Sequence, residues 1–215
     1  VSMLIKRGVN VDITDNFDCT PLAVACSINN SEVARTLICE GGASVSAAAN
    51  NLHEPPLLVA ARNDSEETSL LLIELGASIN ATARFTPQGN EDSALHWAAK
   101  NGSTELASLL VARGADVNVH GGFMFTPLHH AAAHDHHEIA TILIQNGATI
   151  DAPDQNGMSP LHTAVVMGEF PELVQVLLDA GADPRDKCGS DTVVLMAAVD
   201  RGVGILRQLL RSETH

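Results

Sequence analysis

Tyrosine is absent from the 215 residues, and Phe, Trp and Tyr together make up only 3% of them. Large rings each bury 150–250 Å² and dominate most globular enzyme cores, so this core has to be assembled from Leu, Ile, Val and Ala, which suits closely packed helices. Basic residues are scarce as well, 12 Lys and Arg against 26 Asp and Glu, for a formal charge of −14. Nucleic-acid binders neutralise phosphates with Lys and Arg, so that class of partner is excluded, and an anionic membrane surface is disfavoured on the same ground. No apolar run approaches the roughly 18 residues of a membrane span, and no signal-like start is present. The four cysteines, Cys19, Cys26, Cys39 and Cys188, lack CxxC spacing. They are too sparse for a disulfide scaffold, so buried, reduced thiols in a cytoplasmic or nuclear protein are expected.

What the sequence does have is a period. The phrase Thr126-Pro127-Leu128-His129-His130-Ala131-Ala132 returns as Ser159-Pro160-Leu161-His162-Thr163-Ala164-Val165 and precedes itself as Ser93-Ala94-Leu95-His96-Trp97-Ala98-Ala99. Looser copies begin at Thr20, Pro55 and Thr192, so successive starts lie 35, 38, 33, 33 and 33 residues apart. About 17 residues after each start comes a Leu-rich segment closed by Gly-Ala, as in Leu109-Leu110-Val111-Ala112-Arg113-Gly114-Ala115 and Leu143-Ile144-Gln145-Asn146-Gly147-Ala148. Ser or Thr before Pro reads as an N-cap and first helical residue. The small Ala pair allows close helix approach, the Leu-rich segment is a second helix, and Gly ends it. A polar stretch such as Asp151 to Gly157 is a turn. Each unit is thus two short antiparallel helices and a projecting turn, and it buries its apolar side only by stacking on neighbours.

The TPLHxA phrase at a 33-residue period resembles the ankyrin-repeat signature, carried best by Thr126 to Ala131 and Ser159 to Ala164. The resemblance runs along the whole chain as one domain, residues 1–215. It divides into a partial repeat 1–15, repeats at about 16–49, 50–87, 88–120, 121–153 and 154–186, and a closing repeat 187–215. It implies an all-α solenoid of helix–turn–helix units with β-turn fingers, and a concave groove lined by first helices and fingers. It also implies that His96, His129 and His162 bond to neighbouring turns. The implied function is non-catalytic binding of a partner protein or peptide in the groove, without cofactor or metal. The alternative is a regulatory or substrate-recruiting fragment of a larger enzyme or ubiquitin-ligase adaptor. The chain begins inside a repeat, and its last expected helix, Ile205 to Leu210, is followed by only five residues, so a segment of a longer protein is expected.

Departures from the pattern are specific. Pro55 replaces a Thr cap, Asp135 stands where many repeats carry Gly, and the finger Ala81 to Asp92 is long enough to project. One-residue insertions fall near Asn29–Gly42 and Glu169–Pro171.

Catalytic fingerprints are missing: no nucleophile elbow, phosphate-cradling GxxxxGK or dinucleotide-binding glycine pattern occurs. Five histidines fall between His129 and His137, with His130 and His134 spaced i,i+4. The phrase His137-Glu138-Ile139-Ala140-Thr141 nearly spells a zinc-protease motif but lacks its second His. A structural role for the cluster is expected, and no metal.

The two residues after each Ala pair are expected to face the groove: Ser27 and Ile28, Arg62 and Asn63, Lys100 and Asn101, Ala133 and His134, Val166 and Met167, Val199 and Asp200. Exposed finger tips are expected at Asn16, Phe17 and Cys19, at Leu52 and Glu54, at Glu91 and Asp92, and at Phe123, Met124 and Phe125. The last finger, Gly121-Gly122-Phe123-Met124-Phe125, is unusually apolar for a turn. Either it anchors a partner's apolar side chain, or Met124 and Phe125 pack on adjacent fingers and one ring stays exposed. Trp97, the only Trp, either fills the core between repeats or contributes to binding. Partner-binding candidates are therefore Phe123, Met124, Phe125, Ala133, His134, Val166, Met167, Arg62, Lys100 and Trp97.

Asn80 and Asn118 close the phrases Gly76-Ala77-Ser78-Ile79-Asn80 and Gly114-Ala115-Asp116-Val117-Asn118, each eight residues after a Leu (Leu72, Leu110) and directly after a β-branched residue. In animals, ankyrin asparagines of this kind resemble substrates of an asparaginyl hydroxylase. Incubation with such an enzyme is expected to add one oxygen at each Asn, read as an increase in intact mass; an unchanged mass refutes this.

Overall fold

The computed structural model describes residues 1–48, 50, 52–82 and 92–185, together with the backbone of 187, 188, 192 and 193. The helices alternate between two rows. The first-helix row contains α2 (Pro21–Ser27), α4 (Pro56–Arg62), α6 (Ala94–Asn101), α8 (Pro127–Ala133) and α10 (Pro160–Met167). The second-helix row contains α1 (Ser2–Lys6), α3 (Ser31–Cys39), α5 (Glu66–Glu74), α7 (Thr104–Ala112), α9 (His137–Gln145) and α11 (Pro171–Asp179). Each first helix packs on the next first helix, each second helix from α3 onward on the next second helix, and the two helices of a unit on each other. No helix of the described residues is long and apolar enough to cross a membrane.

Local chemistry sets the ends of these short helices. Thr20 Oγ1 accepts the N–H of Ala23 at 3.2 Å and Asn30 Oδ1 that of Val33 at 3.0 Å. At Pro55 that cap bond is absent, as a side chain without an acceptor requires. Gly114, at φ +85°, ends α7: the left-handed step lets Gly114 and Ala115 return their N–H groups to Val111 and Leu110. Asp135 takes the left-handed position between α8 and α9 at φ 59°, as Asn29 and Asp64 do in earlier units.

The core is a column of aliphatic side chains, among them Leu57, Leu95, Leu128 and Leu161 from first helices and Leu72, Leu110, Leu143 and Leu177 from second helices, all fully buried. The Ala pairs at 60–61, 98–99 and 131–132 are buried between neighbouring first helices, where a larger side chain would force the row apart. Among Cys19, Cys26 and Cys39 the expected burial holds for Cys26, where it pushes the thiol up to about 12; Cys19 is half-buried and Cys39 exposed, and the side chain of Cys188 lies outside the described residues.

Side chains stitch the units together. Asn29 Oδ1 accepts both the N–H and the hydroxyl of Thr68 at 3.0 Å, and Ser103 Oγ donates to Asp64 at 2.7 Å. Asn101 Nδ2 donates to Ala61 O at 3.0 Å. Among the described residues the architecture is all-α apart from a two-residue antiparallel ladder pairing Lys187–Cys188 with Thr192–Val193. The helical phrase expected from Thr192 opens in that ladder, where the consecutive β-branched residues Thr192 and Val193 suit an extended pair. Val199, Asp200 and the helix expected at Ile205 to Leu210 lie outside the described residues, as does most of the long finger, 83–91.

Leu128→Ala or Leu161→Ala, each emptying a fully buried site, is expected to cost about 2–5 kcal/mol in urea unfolding. A loss below about 0.5 kcal/mol, the level of an ordinary surface change, would show that the repeat register is wrong.

Candidate partner-binding groove

Three fingers are built on one local device. Asp15, Asn50 and Asp154 each accept the N–H groups two and four residues on: Phe17 and Cys19 at 2.8 and 3.0 Å, Leu52 and Glu54 at 3.0 and 3.2 Å, Asn156 and Met158 at 2.7 and 2.8 Å. Each carries one residue in the left-handed region, Asp18, His53 or Gly157. These are types that tolerate it.

The finger at 121–125 departs from this pattern. Its frame is kept, since Gly121 N–H donates to Phe125 O at 2.8 Å as Asp154 N–H does to Met158 O at 2.9 Å. The space for a capping side chain is occupied by Asp92 of the preceding finger, which accepts Gly122 N–H at 3.0 Å. A Cβ at Gly121 would collide with that carboxylate, so only glycine fits. Without its own cap the tip turns through Phe123 and Met124, at φ 58° and 60°. Two consecutive bulky residues in the left-handed region are uncommon, and each costs about 1–3 kcal/mol. Phe123 is 65% exposed and Met124 48%. Phe125 is not: it stacks on His129 at 5.2 Å between ring centroids and meets His130 edge-on at 5.4 Å. The three apolar residues thus divide, with Phe125 holding the finger and Phe123 and Met124 presented to solvent.

Below the fingers, the imidazoles of His96 and His129 join their units to the next; Ala23 and Leu58 stand at this position in the first two full repeats. His96 Nδ1 accepts Ser93 N–H at 3.0 Å, and His129 Nδ1 accepts Thr126 N–H at 3.1 Å. Each Nδ1 is therefore bare, the proton sits on Nε2, and Nε2–H donates across the interface to Phe125 O and to Met158 O, both at 3.0 Å. This is the role implied for His96 and His129. His162 makes the same bond to Ser159 N–H at 3.4 Å, but its Nε2 finds no partner among the described residues.

Several expected groove residues are committed inside the protein. Arg62 pairs with Glu54 at 2.9 Å, and Asn50 Nδ2 also donates to that carboxylate at 2.7 Å. Glu54, expected at an exposed tip, is only 3% exposed, since these two donors draw it inward. Asp92, likewise expected exposed, is buried by the bond to Gly122. Linear spacing gave no sign of the Glu54–Arg62 pair: eight residues apart is no helical neighbour distance, and Glu54 precedes its helix. Trp97 is half-buried against the core, with Lys100 Nζ 4.7 Å from its ring centroid. Ala133 and Val166 are half-buried, while His134 and, at 51%, Met167 are exposed. Exposed apolar residues also occur at Phe17, Val24 and Ile28, where α2 has a first-helix neighbour on one side only.

Of the asparagines, Asn80 donates to Gly114 O at 3.2 Å and accepts Asp116 N–H at 3.1 Å; Asn118 does the same toward Gly147 and Thr149 at 3.0 and 2.7 Å. Among the described residues no group of three or more His, Cys, Asp or Glu is arranged to hold a metal. The histidine cluster is instead a chain of ring contacts, His96 to His130 at 5.7 Å, His130 to His134 at 6.5 Å and His134 to His136 at 6.1 Å. His136, which sequence reasoning passed over, reaches back to Lys100 O at 3.2 Å.

Residues 1–83 and 95–188 match the family model of ankyrin repeats (3 copies). No curated protein matches the chain by sequence. Among solved structures, the crystal structure of the human ASB11 ankyrin repeat domain is similar to this chain at 25% identity and a TM-score of 0.84, over 98% of this chain and 90% of that one.

Burial holds the imidazoles of His96 and His129 below the ordinary histidine range and pushes His130 down to about 3. In the unfolded chain they titrate near 6.5. Their neutral forms therefore stabilise the fold fully above that pH, and the contribution falls as pH drops through 6.5 toward the folded values. The urea midpoint is expected to fall between pH 7.5 and 5.5, by up to roughly 1 kcal/mol per pH unit for each imidazole. A midpoint that is flat or rises on acidification contradicts this assignment.

Proposed function

Because the chain belongs to the ankyrin-repeat family, we propose that it is a protein-interaction module that holds a partner protein or peptide along its first helices and fingers, without chemistry of its own. The observation that carries this reading is the tip Phe123–Met124. Two large apolar side chains stand in solvent on a backbone that glycine or asparagine would adopt at lower cost. Exposure and strain together have no use in folding, and both suit an anchor for a partner's apolar side chain.

The anchor is held in place. Phe125 is clamped on two imidazoles, and the Phe123 carbonyl accepts Gln155 N–H from the next finger at 3.0 Å. A partner then meets a positioned ring and loses little entropy in ordering it. Met167, at the far end of α10, offers a second apolar contact. A first helix of eight residues is about 12 Å long, so an extended segment of a few residues spans tip and helix end. Burial of one such side chain contributes about 1.5–3 kcal/mol, or roughly 10- to 100-fold in affinity.

Phe123→Ala combined with Met167→Ala is expected to weaken binding of an identified partner by at least about tenfold at an unchanged melting temperature. Phe123→Gly, which relieves the left-handed backbone, is expected to raise stability by about 0.5–1 kcal/mol while binding is lost. Isothermal titration beside thermal melts checks both. If the double variant unfolds, those side chains were core; if it binds normally, the anchor is elsewhere.

A further inference from the structure

The junction of the third and fourth units carries a positive charge that no ion pair among the described residues neutralises. Lys100 Nζ lies over the Trp97 ring. The ion pairs among the described residues join Arg62 to Glu54 and His137 to Glu172, and leave Lys100 out. In a chain with 26 acidic residues and 12 basic ones, a half-exposed lysine resting on a ring, and ion-paired to none of the described carboxylates, is poised for a carboxylate from outside. His136 Nε2–H donates to the backbone carbonyl of Lys100, and His134 stacks on His136 with 7° between ring planes. His134 Nδ1–H donates to His130 O at 3.0 Å, which leaves Nε2 unused at an exposed position. Asp135, between these two histidines in sequence, forms no ion pair with Lys100 among the described residues.

We propose that Lys100 and His134 form a receptor for an Asp or Glu side chain of the partner, so that the segment bound beside the Phe123 tip is an acidic peptide with an apolar residue. The inference rests on the groove reading above and adds the chemistry of its ligand. Two further observations support it. His130, directly beneath, is 91% buried by its 9% exposure, and its Nε2 has no partner among the described residues. Apart from burial, the groups that act most on its ring are His96 and then Lys100, and of these Lys100 carries the standing positive charge. The nearby carboxylates, Asp92 and Asp154, act on His96 and His129 from the finger side. The ammonium of Lys100 is the charge that attracts an anion here, and a carboxylate gains a charge-assisted hydrogen bond from it and, once Nε2 of His134 takes up a proton, a second from that imidazolium. Elsewhere the net charge of −14 repels an acidic segment, which makes this junction its preferred seat.

Trp97 is the only Trp, so its emission reports on the junction without a label. The intact 215-residue chain is titrated with two sets of short capped peptides that share Leu and Phe positions and differ only in Glu against Gln. Trp97 emission and the anisotropy of dye-labelled copies are both recorded. The Glu set is expected to bind at about tenfold lower concentration than the Gln set. In Lys100→Gln/His134→Gln, whose melting temperature should match the parent because both side chains reach solvent, that preference should shrink to within about twofold, the size of an exposed ion pair. Phe123→Ala should weaken both sets alike. Equal binding of the two sets, dependent on Phe123, overturns the carboxylate receptor and leaves the groove reading standing. If neither set changes emission or anisotropy, both readings fail. A Glu preference that survives the double variant also overturns the assignment to Lys100 and His134.

Discussion

The bond on which the middle of the structure depends is the one that His96 and His129 each make in two directions. Nδ1 receives the N–H of its own helix cap, and that bond fixes the tautomer. The same bond aims Nε2–H across the interface at the carbonyl of the next finger. A side chain that ends one helix thereby sets the position of the next unit. Two-way use demands a neutral ring, and burial keeps it neutral. The aliphatic column supplies most of the favourable free energy of stacking, but apolar contact has no direction. The imidazole bonds provide the register that places one finger beside the next.

From that register follows the character of the exposed face. Fingers with their own Asx device hold their own frame. The one at 121–125 gives up its capping side chain to the carboxylate of Asp92, and its frame is held from outside, by Asp92 on one side and by Gln155 on the other. A tip supported by neighbours can carry residues that a free turn would reject. Strain at Phe123 and Met124 is thus affordable only within the stack.

The period, the helix pairs, the caps and the core leucines were legible because each rests on short-range chemistry that repeats: a hydroxyl before proline, alanine pairs, Leu-rich segments closed by glycine. The roles of His96 and His129 came from the family resemblance, and the geometry bears them out. The groove was less legible. Spacing from the Ala pair identifies Arg62 as a first-helix end, but nothing in the spacing shows that Glu54 turns inward to meet it. Asp92 looked like a tip residue because its partner, Gly122, lies 30 residues on. The apolar triplet was visible as an anomaly, yet which of its members packs depends on rings of the following helix. Pairings between units are invisible to local pattern, and they decide which side chains remain available.

The hydrogen bonds that join units span 29 to 40 residues, from His96–Phe125 at the short end to Asn101–Ala61 at the long end. A chain held this way has low relative contact order for its length, since these links close a loop of only about one unit. Assembly can start from any adjacent pair and extend outward, and each added unit repeats the same small entropic cost. Opening follows the same geometry in reverse. A unit braced on both sides opens only after a neighbour does, so the finger at 121–125, held by Asp92 before it and Gln155 after it, is among the parts that keep their shape longest.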